Sequence, residues 1–103
     1  MAKQILLYNL AEHVTDDEFR DYVVNEKGPL VSSLPSVKKY ELVRITRAPT
    51  GEIPYKYVGI VHLTSLEEFY QKDAQSQKYQ DFVAKFRPMV SDFHALAGEE
   101  IYP

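Results

Sequence analysis

Between Lys3 and Leu10 the apolar positions run almost unbroken, which predicts a strand that is apolar on both faces. Phe19, Tyr22, Val23, Leu30, Val31 and Leu34 then recur near helical spacing, which predicts a helix with one buried face. Its start is written in Thr15 and Glu18, a capping box, with Val14 and Phe19 at the positions of a hydrophobic staple. Gly28-Pro29 falls inside this pattern. Proline lacks an N–H and restricts the residue before it, so a kink or break is expected there.

Strands are predicted over Val37–Arg47 and Tyr55–Leu63, joined by a connector containing Pro49, Gly51 and Pro54. Ser65 and Glu68 suggest a second capping box for a helix running to about Lys72. After an interruption at Asp73–Ser76, a further helix from Gln77 carries Tyr79, Phe82, Val83, Phe86 and Val90 on one face. Phe93–Tyr102 supplies a last strand, with Gly98-Glu99-Glu100 as its weakest part. The order is βαββαβ over a single domain, residues 1–103. It predicts a ferredoxin-like α+β fold: a four-stranded antiparallel sheet with helices on one face. Val58 and Ile60 oppose Val61 and Leu63 in parity, and Val43 opposes Leu42. Both sheet faces are therefore apolar, and a second copy packed sheet to sheet is the economical cover for the outer one.

Composition narrows the function. The chain is 45% hydrophobic and 26% charged with a net charge of −3 and no block of like charges, which argues against general nucleic-acid binding. There is no cysteine, so thiolate catalysis, disulfides and cysteine-ligated metals are excluded. The first apolar run is far shorter than the roughly 20 residues that span a bilayer. With no targeting segment legible, a cytoplasmic protein without membrane contact is expected. Eight tyrosines and five phenylalanines are the conspicuous feature, suited to an apolar pocket with hydroxyl handles and equally to strand surfaces.

Asp17-Glu18-Phe19, Glu26-Lys27-Gly28-Pro29-Leu30-Val31 and Leu34-Pro35-Ser36-Val37-Lys38-Lys39-Tyr40 resemble the first helix and second strand of the dimeric α+β barrel proteins. Ser65-Leu66-Glu67-Glu68-Phe69 and Ser76-Gln77-Lys78-Tyr79-Gln80-Asp81-Phe82 fit the second helical region of the same group. The chain is most similar to the EthD-like proteins, and among them to the REDY-like HapK proteins of prodigiosin-type pigment pathways. The resemblance implies a homodimer with a pocket in each subunit between helices and sheet, used without metal or organic cofactor. It also implies a small, flat, hydrophobic ligand such as a polyketide, aromatic acid or pyrrole.

Relatives often carry a histidine just before the Pro-Leu-Val segment, where this chain has Lys27, and another in the second helical region, where it has Tyr79. By that resemblance Lys27 and Tyr79 are the catalytic candidates, in place of histidine acid–base chemistry. The residues alone leave open a snorkelling Lys27 and a core-packed Tyr79. Leu6 and Tyr8 share one face of the first strand and Tyr57 shares parity with Val61. If that is the helix-facing side, they line the pocket with Tyr22 and Phe82. Arg44 breaks an apolar strand face, either to hold a carboxylate or enolate or to pair with an acidic neighbour. His62 faces either the pocket or a partner subunit. His13 and His94 read as surface residues, and no histidine pair has metal-ligand spacing. The expected activity is that of a cofactor-free enzyme or enzyme-like protein of bacterial secondary metabolism, through acid–base or oxygenase-type chemistry. A non-catalytic carrier of the same ligand is the alternative.

Overall fold

Four strands form one antiparallel sheet in the computed structural model, which describes residues 1–103. β1 (Ala2–Leu10) and β3 (Tyr57–Leu63) lie at its centre, with β2 (Val37–Arg44) and β4 (Val90–Glu99) at the edges, in the order β2-β3-β1-β4. The fold is the ferredoxin-like arrangement expected from the element order. Along β1 and β3, Tyr8, Tyr57, Val61 and Leu63 point to the side covered by helices and are buried there. Ile5, Leu7, Val58 and Ile60 point to the other side and are partly exposed, beside Val43 and Leu96 at 46% and 53% exposure.

The first helical run begins as its sequence predicts. Glu18 N–H donates to Thr15 Oγ1 at 3.1 Å and Thr15 N–H donates to Glu18 Oε1 at 3.2 Å, while Val14 packs against the cluster that holds Phe19. Of the kink or break expected at Gly28-Pro29, the break does not occur. Instead α1 (Asp16–Tyr22) continues through a π turn, Val23–Lys27, into α2 (Gly28–Ser32). Gly28 N–H reaches back five residues to the Val23 carbonyl, and Pro29 sits in the first turn of α2. Having no N–H, Pro29 donates no backbone bond within this continuous run.

After β3 come α3 (Leu66–Gln71), a short 3₁₀ turn (Asp73–Gln75) and α4 (Gln77–Phe86). Only half of the second capping box forms. Ser65 Oγ accepts from Glu68 N–H at 3.0 Å, but the Glu68 carboxylate accepts from Thr64 Oγ1 at 2.8 Å instead of reaching back to Ser65. The 3₁₀ turn is tied to the start of β2 through a buried link. Ser36 donates to Asp73 Oδ2 from its N–H at 3.0 Å and also from its hydroxyl.

The strand ends differ from those predicted. β2 stops at Arg44 and β3 starts at Tyr57, because residues 45–56 leave the ladder after one further bond, Ile45 N–H to the Lys56 carbonyl at 2.7 Å. Asn9 holds this loop to the sheet. Its Oδ1 accepts from Lys56 N–H at 2.8 Å, and its Nδ2 donates to the Pro54 carbonyl at 2.9 Å and to Asp92 at 3.1 Å. β4 starts at Val90, earlier than expected, and runs through Gly98 to Glu99. Its register shifts opposite Tyr8, where Asp92 adopts φ 52° and Phe93 is carried onto the helix side. No helix is long and apolar enough to cross a membrane.

Candidate functional site

Regular α-helical spacing from Tyr22 would bring Glu26 onto the core face. The π turn adds one residue and brings Lys27 there instead. Glu26 remains exposed and pairs with Lys85 at 2.8 Å. Lys27 is 3% exposed. Such a turn widens the helix locally, and the approach of Gly28 to Val23 that closes it leaves no room for a side chain.

Lys27 reaches into a cavity of about 260 Å³ enclosed by α2, α4, the sheet and the end of α3. Twelve of its fifteen lining residues are hydrophobic, among them Leu6, Val61, Phe69, Phe82 and Phe93. Arg87 and Ala95, which are exposed, mark its opening beside β4. The Lys27 ammonium donates to the Tyr40 hydroxyl and stands 4.4 Å from the Tyr40 ring centre, 4.8 Å from that of Phe86 and 5.8 Å from that of Phe82. It makes no ion pair; those of the chain are formed by other residues. Burial pushes Lys27 down to about 7. The aromatic faces act the other way, favouring the charged form. Burial also raises the Tyr40 and Tyr79 phenols, which keeps both hydroxyls protonated at neutral pH. The cavity thus presents one amine and two phenols, with Gln4 and Arg87 as its other polar side chains.

Of the residues singled out from the sequence, Lys27, Tyr79, Leu6 and Phe82 line this cavity. Tyr8, Tyr22 and Tyr57 do not. They belong to a neighbouring core cluster with Phe19 and Phe86, where side chains fill the space beneath α1. Tyr8 stacks on Tyr57 with ring centres 5.8 Å apart, and its hydroxyl is buried without a hydrogen-bond partner. Tyr57 donates to Asp16 at 2.7 Å. Arg44 lies outside the cavity as well, 3.5 Å from Asp16 in a separate shallow hollow, because it sits at the end of the edge strand. His62 points to the opposite face of the sheet, where Nε2 is 2.6 Å from Glu41 Oε1 across from β2. It shares that face with Ile60 and Val58. His13 is exposed in the loop before α1, and His94 is exposed on β4 with its ring nearly perpendicular to that of Tyr55. No group of three or more His, Asp or Glu stands together as a metal-ligand set.

Sequence reasoning missed Tyr40, the direct partner of Lys27. Its signal was available in its parity with Leu42 on β2, but the register irregularity between Val37 and Lys39 obscures that face at the strand's start. Gln4, Phe69, Phe86 and Arg87 were missed as lining residues too.

The family model described as REDY-like protein HapK matches residues 2–101. No curated protein matches the chain. Among solved structures, HapK from Hahella chejuensis is similar at 26% identity and TM-score 0.80, over 98% of this chain and 93% of that one. An EthD-family protein from Bacillus halodurans gives 22% identity and TM-score 0.76, over 98% and 99%. SnoaB, a cofactor-independent oxygenase from Streptomyces nogalater, gives 14% identity and TM-score 0.76, over 99% and 94%.

Proposed function

Since the chain belongs to the REDY-like HapK family, we propose that it encloses a small, flat, apolar molecule in the cavity beside Lys27 and acts on it without metal or organic cofactor. The carrying observation is the buried Lys27 amine, unpaired by any carboxylate and set among aromatic rings. Such a group near neutrality exchanges protons with a bound ligand at physiological pH. Charged, it stabilises an enolate or phenolate formed in a cavity where few other charges compete. Tyr40 and Tyr79 supply hydroxyl donors to the same ligand. The polyketide, aromatic or pyrrole-type intermediates of bacterial secondary metabolism suit this lining in size and polarity. The half-exposed apolar face formed by Ile5, Leu7, Val58 and Ile60 supports a sheet-to-sheet homodimer around the two sites.

Titration with naphthol, followed by tyrosine fluorescence, tests this reading. The parent protein should bind and quench. Lys27→Met and Tyr79→Phe should weaken binding at least tenfold, about 1.4 kcal/mol, while exposed Glu67→Gln should not. Unaltered binding by Lys27→Met would overturn the site. Binding of a pathway intermediate without product would identify a carrier.

A further inference from the structure

Lys27 is the sole buried lysine of the chain. A lysine kept as a fixed charge is best served by solvent exposure or by a carboxylate, and this one is 3% exposed and pairs with no carboxylate. Its ammonium lies close to the rings of Tyr40, Phe82 and Phe86, and its one hydrogen-bond partner is the Tyr40 hydroxyl. A neutral primary amine in an apolar enclosure is a nucleophile toward carbonyl carbon. On the footing of the ligand cavity proposed above, we infer that Lys27 Nζ captures an aldehyde or ketone carried by an apolar ligand, as an imine.

The step balances within the cavity. The Nζ lone pair attacks the carbonyl carbon, and the π pair moves to oxygen, which takes a proton from the Tyr40 hydroxyl. The attacking nitrogen sheds a proton back to Tyr40, which leaves a neutral carbinolamine. Nitrogen then expels the hydroxyl group, which departs as water with a proton from Tyr40. The remaining N–H proton of the iminium returns to the tyrosinate or stays on nitrogen. The sum is amine plus carbonyl giving imine plus water, with no oxidant or reductant. Tyr40 suits the relay because burial keeps its phenol protonated until a base beside it calls for the proton. Burial draws Lys27 down to about 7, which makes the free amine that the attack needs available near neutral pH. Tyr79 and Arg87 are the other titratable groups lining the cavity, and neither is an anion that would hold Lys27 protonated.

A naphthaldehyde with sodium cyanoborohydride provides the probe, since reduction freezes an imine as a stable secondary amine. Intact mass and peptide mapping at pH 7 should find one naphthylmethyl group, on Lys27, formed at least tenfold faster than on any exposed lysine such as Lys85. The rate at Lys27 should level off above about pH 7, whereas that at exposed lysines should keep climbing toward pH 10. Tyr40→Phe should slow labelling at Lys27 at least tenfold more than it weakens binding of naphthylmethanol, which has no carbonyl. Lys27→Arg and Lys27→Met, checked for folding by circular dichroism, should lose the label. If naphthylmethanol binds but Lys27 labels no faster than Lys85, imine formation is overturned and the ligand cavity stands. If naphthylmethanol does not bind at all, the cavity reading itself falls.

Discussion

A Cβ built on Gly28 would stand 2.8 Å from the carbonyl oxygen of Val23, inside the separation that real side chains tolerate. Both atoms are backbone-fixed in the π turn, so nothing flexible can yield. In a regular helix glycine to alanine is stabilising by roughly 1 kcal/mol. Here the sign should reverse. Gly28→Ala should lower the unfolding free energy by about 1–3 kcal/mol, read from the urea midpoint. A rise in midpoint would show that the turn relaxes to α geometry.

Lys27 ties stability to pH in a direction opposite to that of a salt-bridged lysine. Folding lowers its pKa from 10.5 to about 7, so the unfolded chain binds more protons between those values. Stability therefore rises with pH across this window, at no more than about 1.4 kcal/mol per pH unit. From pH 7 to pH 9 the parent protein should gain about 2 kcal/mol relative to Lys27→Met. Parallel pH profiles for the two proteins would mean that Lys27 is solvated.

The architecture and part of the site were legible in the sequence, for different reasons. Period-two alternation in β3 and the Thr15–Glu18 cap are local signals, and the fold follows them closely. Lys27 and Tyr79 came from family resemblance, and both line the cavity. Parity grouped Tyr8 with Leu6 and Tyr57 with Val61 and Leu63 without assigning either set to a side, and the structure turns both toward the helices. Nor could parity say which part of that side was filled, since this depends on Phe19 and Phe86 arriving from distant elements. Gly28-Pro29 marked an irregularity but not its kind, because proline predicts a kink or break and the chain shows a π turn beside it. His62 was ambiguous in the sequence for want of a face assignment, which its register opposite Lys3 and Lys39 supplies.

Ser36→Ala should cost about 1–3 kcal/mol, because it strips the buried Asp73 carboxylate of one of its two Ser36 donors. The loss should appear in thermal or urea unfolding. A change within a few tenths of a kcal/mol would indicate that water replaces the hydroxyl.

The apolar outer face predicts a particle of about twice the 11.9 kDa chain mass by light scattering at micromolar concentration. Ile60→Asp should yield monomer or unfolded chain, since a dimer would bury its unpaired charge. A parent protein that sediments as a monomer would remove the sheet-to-sheet dimer.

The π turn also bears on how this chain tolerates changes in length. Losing a residue inside a helix ordinarily rotates everything on one side by roughly 100° relative to the other. Between Tyr22 and Lys27 the helix carries a surplus position instead. Deleting the exposed Val24 would leave four steps where there are now five, which is ordinary α spacing, and both residues would keep their faces. A single codon can therefore be lost at this point while the lysine stays in its cavity.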